Sequence, residues 1–152
     1  MEDNNLSIEF KIKGMFVSEF NVKICDEFIK AESESKSGFG NYTFEISCVN
    51  NAIIPENLIN IQVNVKVFLD VEKKFLLGNL SLSNLFSIIA LERFINKEDK
   101  TFSLPEILEV TLISISLSHS RAILLAKCAG TFLQNAVLPI MDPKAFIKKP
   151  NK

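Results

Sequence analysis

The stretch that most restricts the fold runs from Ser103 to Phe132, SLPEILEVTLISISLSHSRAILLAKCAGTF. It is long and mostly apolar, and it follows every alternating stretch in the chain. Two periodicities compete within it. Ile113, Ile115 and Leu117 alternate with Ser114, Ser116 and Ser118, as on a strand, whereas Leu104, Leu108, Leu112, Ile115 and Ala122 fit a helical face. Length and ends favour the helix. Ser103-x-x-Glu106 has the form of a capping box, Pro105 suits a first turn, and Lys127 ahead of Gly130 suits a C-terminal stop. A helix of this kind covers something apolar, and the upstream sequence supplies a sheet.

Leu6, Ile8, Phe10 and Ile12 alternate with Ser7, Glu9, Lys11 and Lys13, the period of a half-buried strand. Past Gly14 the apolar side moves to Met15 and Val17, which predicts a bulge there. The pattern weakens after Cys25, and Glu32 to Gly40 reads as a polar loop carrying Phe39. Tyr42, Phe44, Ile46 and Cys48 form a second run, broken at Asn50, Asn51 and Pro55. The third run is Ile59, Ile61, Val63, Val65, Val67 and Leu69, with Phe68 as the exception on its polar side. Glu72, Lys73 and Lys74 make a charged turn into a fourth run, with Leu76, Leu80, Leu82, Phe86 and Ile88 on one face. Neighbouring runs joined by a short turn pair antiparallel. Leu91 to Phe102 is then a charged crossover into the helix. The tail has an extended piece from Leu133 to Leu138, Pro139, and a final helical turn or two from Asp142 to Lys149. The fold class is α+β, one domain over residues 1–152: a four-stranded antiparallel sheet packed by one long helix and a short C-terminal helix.

Charge and cysteines exclude several functions. The 17 Lys plus Arg against 18 Asp plus Glu leave no basic excess for nucleic acid. Cys25, Cys48 and Cys128 are odd in number and widely spaced, which suits free thiols in a reducing compartment. The first ten residues are acidic and polar, unlike a signal peptide. Glu106, Glu109, His119, Arg121 and Lys127 interrupt the one stretch long enough to span a bilayer. A cytoplasmic protein is expected, with no membrane insertion.

Catalytic signatures are missing. His119 is the only histidine, so no His cluster can hold a metal, and Ser118 and Ser120 diverge from it around a helix axis. Glu106 and Glu109 suit the positive end of the helix dipole. Arg121 is expected to meet an acid such as Glu92 or Glu109, or backbone carbonyls at a subunit interface. No phosphate loop, nucleophile elbow or zinc-protease motif occurs. What stands out is an apolar surplus: Phe39, Phe68, Phe94, Ile95 and Phe102 fall on loops or polar strand sides. Together they suggest apolar surface kept for a subunit partner or an unfolded chain.

Four strands, a crossover, a long helix ending in G-T-F, then a proline and a second short helix resemble the SecB-type protein-export chaperones and their SecB-like relatives. Asn84 to Glu92, NLFSIIALE, is similar to that family's G-I-F-S-I-x-x-I-E through Phe86, Ser87, Ile88 and Glu92. Arg121 and Gly130-Thr131-Phe132 resemble its A-R-E…R-G-T-F helix end. Leu138-Pro139-Ile140 and Lys144-Ala145-Phe146 resemble its P-V-N-F-D-A-L-Y tail. The resemblance spans roughly Tyr42 to Phe146. The chain departs from the family in SLSHSR, which stands where the family has L-F-P-Y-A-R, in the spacing from Arg121 to Gly130, and in its near-neutral charge and basic end, KKPNK.

The resemblance implies an ATP-independent holdase without cofactor or catalytic residues, assembled as a homodimer or homotetramer. Its clients would be unfolded polypeptides, and its partner either the SecA motor or the antitoxin of a toxin–antitoxin system. The expected groove residues are Phe39, Tyr42, Phe44, Phe68, Phe86, Phe94, Ile95 and Phe102, with Phe44 and Phe86 equally readable as core. Small residues on the helix, Ser114 and Ser118, together with Arg121, would form the subunit interface. Two rivals remain: a hotdog-type thioesterase or dehydratase using Glu106, and an oligomeric scaffold. In hotdog proteins the helix precedes most of the sheet, and here it follows all of it.

Overall fold

The structure, a computed structural model, describes residues 8–34, 42–69, 75–98 and 101–147. Four strands, β1 (Phe10–Val22), β2 (Thr43–Ile53), β3 (Leu58–Phe68) and β4 (Leu76–Ile88), form one antiparallel sheet in the order β1-β4-β3-β2. Strands 2, 3 and 4 follow one another as neighbours and strand 1 returns beside strand 4, a Greek-key arrangement. Helix α1 (Asp26–Glu34) lies in the connection between the two edge strands, and α2 (Glu106–Cys128) follows β4.

Alternation in β3 sets the face on which everything packs. Ile59, Ile61, Val63, Val65 and Val67 are buried. Their cross-strand partners share that face: Phe44, Ile46, Cys48, Asn50 and Ala52 on β2, and Leu80, Leu82, Asn84 and Phe86 on β4. Strand β1 keeps its apolar residues on this face by changing phase twice. One bulge lies between Ile12 and Gly14, as expected, and a second between Val17 and Glu19. Phe10, Ile12, Met15, Val17, Phe20 and Val22 therefore all oppose helix-facing positions of β4.

Helix α2 lies over β3 and β4. Its buried stripe is Leu108, Leu112, Ser116, Ser120, Leu124 and Cys128, supplemented by Ile113 and Leu117. The competing strand reading fails: the stretch is helical throughout, and three of its serine hydroxyls are satisfied inside the helix. Ser116 donates to Leu112 O and Ser120 to Ser116 O, both at 2.8 Å, while Ser118 donates to Ser114 O at 3.0 Å. Ala122, expected on the apolar side, is exposed. By length and composition α2 is able to cross a membrane; here it is the helix that covers the sheet.

Several local expectations need correction. Residues 26–34, read as weak pattern running into loop, form α1, anchored by buried Phe28, whose ring meets that of Phe132 at a tilt with centroids 4.7 Å apart. Strand β2 continues through Asn50 and Asn51 to Ile53. The capping box does not form: Pro105 occupies the N-cap position, and no side chain caps the helix. Ser103 is still extended there, its N–H donating to Phe94 O at 2.9 Å beside an Ile95–Phe102 bridge. Leu76 is exposed, and Leu77, at a β3/β4 register shift, is buried in its place. The Gly130 stop does hold: its φ is +75°, and the Thr131 hydroxyl donates to Cys128 O and accepts from Leu133 N–H as the chain turns. The short turn at Pro143–Phe146 realises the final helical piece. The expected Glu72–Lys74 turn and the basic end from Lys148 lie outside the described residues.

Candidate functional site

Two asparagines interrupt the apolar face of the sheet, and each bonds to α2. Asn50 Nδ2 donates to Glu109 Oε1 at 2.8 Å in the first turn of the helix. Asn84, completely buried, donates through Nδ2 to Ile61 O at 3.2 Å, and its Oδ1 lies 2.8 Å from His119 Nδ1. The donation to Ile61 leaves Oδ1 as an acceptor, so Nδ1 is the ring nitrogen that donates to it. His119 is thus a partnered helix residue. At the far end of the helix the Tyr42 hydroxyl donates to Phe132 O at 3.2 Å. Helix and β2 therefore run antiparallel, and both are about 35 Å long at 1.5 Å and 3.3 Å per residue.

At the end of β2 that carries Asn50 there is a cavity of about 220 Å³, lined by Cys48 and Asn50 of β2, Phe102, Ser103 and Leu104 ahead of the helix, Glu109, and Phe146 of the tail. The tail that leads to Phe146 is tied to α2 by Arg121, whose Nε and Nη2 donate to Leu138 O at 3.0 Å and Pro139 O at 2.9 Å, and its final turn packs on α2. Asp142 starts the final turn by accepting from Lys144 N–H at 2.9 Å. Burial raises the Glu109 carboxyl above its ordinary value, and the Asn50 bond offsets part of that. Burial also pushes the Cys48 thiol up to about 11, so it is protonated at neutral pH. Glu106 pairs with Lys144 at 3.4 Å at the surface. Among the described residues no cation pairs with Glu109, and no group of His, Cys, Asp and Glu converges as a metal site.

The expected groove residues do not form one surface. Phe102 lines the cavity, and Phe94 and Ile95 pack half-buried beside the core. Tyr42 and Phe44 are half-buried at the other end of β2. Phe86 is fully buried, edge-to-face with Phe10 at 6.2 Å, and belongs to the core. Phe68 is only 8% exposed: beside the β3/β4 register shift, both faces of the strand end are covered. Phe39 lies outside the described residues. Cys48, Asn50, Ser103, Leu104, Glu109 and Phe146 line it without having been among the expected groove residues. The available signal was Asn50 itself, a polar residue on the apolar period of β2.

Of the expected interface residues, Ser114 and Ser118 are exposed on the outer side of α2, near Ile107 and Leu125 along the same helix. Arg121 differs from expectation, because its carbonyl partners belong to its own tail. Beyond the helix, Ile12, Met15 and Val17 of β1 are respectively 52%, 41% and 38% exposed on the face that α2 covers elsewhere.

Family models and curated protein sequences give no match to this chain. Among solved structures it matches the Mycobacterium tuberculosis Rv1957 SecB-like chaperone in complex with a ChAD peptide from the Rv1956 HigA1 antitoxin. The TM-score is 0.57 over 87% of this chain and 90% of that one, at 10% sequence identity. The fold is SecB-like. At that identity the two proteins share the late helix on a four-stranded sheet, not a set of residues.

Proposed function

We propose that this protein is an ATP-independent holdase that binds unfolded, apolar polypeptide segments along β2 and the loop ahead of α2. The observation that carries this reading is the cavity between β2, Phe102, Leu104 and Phe146, set within a SecB-like fold. Tyr42 and Phe44, at the other end of β2, and Phe94 and Ile95 would add separate half-buried contacts for a client, with Phe39 proposed as another; Phe68 and Phe86 belong to the packed interior. An unfolded client gains burial of its apolar side chains on such a surface without a fixed register, and several weak contacts add up through avidity. No cofactor or enzymatic step is part of the reading. Glu106, the residue a thioesterase would need, is ion-paired with Lys144 in the open.

Two observations favour a dedicated antitoxin client over delivery to SecA. The matched SecB-like chaperone is bound to an antitoxin peptide, and this chain, at net charge −1, lacks the acidity that serves the export chaperones at SecA. We place the protein in the cytoplasm as a homodimer or homotetramer, with the outer faces of α2 and the bare stripe of β1 turned toward other copies.

Light scattering from a reduced, aggregating client tests the holdase reading. Suppression is expected near stoichiometric ratios and should weaken in Phe102→Asp or Phe94→Asp. An intact oligomer that suppresses nothing rejects it. A pull-down from the native cytoplasm then separates an antitoxin from exported precursors and SecA.

A further inference from the structure

We propose that a second cavity, at the opposite end of the sheet from Glu109, binds a small amphipathic carboxylate. The inference is independent of the client-binding reading. This cavity, about 360 Å³, opens where β1 ends and β4 begins. Gly78 lies opposite Val67 on the helix-facing side, so its neighbour Asn79, opposite Asn21 and Lys66, turns to the face away from α2. The Asn21–Asn79 pair and the backbone of Gly78 line the cavity, together with Phe75 and Leu76 at the start of β4. A Cβ at position 78 would come within 2.9 Å of Leu133 Cδ1 and 3.0 Å of Asn21 O, so a glycine is needed there. The remaining lining comes from the segment after β1. Lys23 N–H donates to Leu77 O at 2.8 Å, which fixes Lys23 and Cys25 beside β4.

The lining holds one basic side chain and no carboxylate. Among the described residues, neither the Lys23 ammonium nor the Asn79 amide has a hydrogen-bond or ion-pair partner. The polar groups around them are engaged: Lys66 pairs with Glu45 at 3.2 Å, and Asn21 Nδ2 donates to Glu19 at 2.9 Å. An ammonium and an amide N–H together offer a carboxylate two donors, the charged one being the stronger. Glu19, with Asp26 and Glu27 at the start of α1, lies outside the lining. These acids disfavour a multiply charged anion such as phosphate and leave a monoanion seated directly at Lys23. The apolar half of the ligand is met by Phe75, half-buried, and Leu76, which is 44% exposed and gains burial on binding. The volume is at the low end of the roughly 300–1,000 Å³ of small-molecule sites, which suits a medium-chain or aromatic acid.

The test is titration of the isotope-labelled full chain with octanoate and with octanamide, its neutral counterpart, followed by backbone amide chemical shifts. Octanoate is expected to shift Lys23, Leu76 and Asn79. It should bind about fivefold more tightly than octanamide, the upper end of what a solvent-accessible ion pair contributes. In Lys23→Gln that ratio should fall to about one, whereas Leu76→Ser should weaken both ligands alike. Saturating octanoate should also raise the thermal midpoint of the wild-type protein by mass action. Absence of any shift would overturn the proposal. Shifts centred on Phe102 and Leu104 would do the same, by placing the acid in the cavity beside Glu109. Equal affinity of the two ligands for the wild-type protein, or a preference for octanoate that survives in Lys23→Gln, would remove the role given to Lys23 and with it the proposal.

Discussion

Asn84 occupies both ends of its amide inside the core, and its worth can be separated from its shape. Asn84→Leu keeps a similar volume but leaves the His119 Nδ1–H and the Ile61 carbonyl without that partner. An unsatisfied buried group costs about 1–3 kcal/mol, so the urea midpoint should fall accordingly. Combining it with His119→Phe removes the stranded donor and should recover part of the loss. Glu109 gives a prediction of opposite kind. Its folded-state pKa is raised above the ordinary 4.5, so its contribution to stability is complete below that value and is lost as pH rises through the folded-state value. Thermal melts of wild type and Glu109→Gln should therefore diverge in favour of Gln between acid pH and neutrality. A constant difference across that range would contradict the assignment. His119 and Glu109 were visible in the sequence as polar residues on an apolar helix, but their partners were not. Asn50 lies on the apolar period of β2 but reads as a strand end, and its pairing with Ile61 is what places it on the buried face.

At the scale of elements, the sheet was legible because one face is buried and the other is wet. Alternation then reports directly on orientation, even through the bulge at Gly14. The second bulge, at Ser18, falls among residues without a clear alternation, so nothing in the sequence marks it. Helix α1 was hidden for a different reason: DEFIKAESE offers few apolar residues, and its place depends on Phe28 meeting Phe132 from the far end of the chain. The tail is likewise a tertiary element, strapped to α2 by Arg121. Arg121→Ala should speed amide exchange across Leu138 to Phe146 and open the cavity wall at Phe146. Arg121→Lys should restore little, since a single ammonium cannot span two carbonyls as the guanidinium fork does. Exchange unchanged in Arg121→Ala would show that packing alone holds the tail.

At the scale of the molecule, one helix is too narrow for this sheet. Four strands about 4.8 Å apart span about 14 Å between their outer axes, and a helix about 10 Å across covers roughly two strands well. The strands left over are the two edges, β2, whose inward side chains are half-buried, and β1, with Ile12, Met15 and Val17 bare. A cysteine at Ser118, on the outer helix face, is therefore expected to crosslink copies efficiently under mild oxidation. A monomer on calibrated size exclusion, with no crosslink, would argue against self-assembly. The two bulges of β1 add a consequence for how this edge can vary in length. Lys13 and Ser18 are spare residues: neither has a partner in the register with β4, whereas the residues on either side do. A chain lacking Lys13 would keep every one of those pairs and every inward side chain, losing only local twist. A deletion within β4 would turn all later side chains inside out. The strand that meets the outside world thus carries two places where its length can change while its meaning does not.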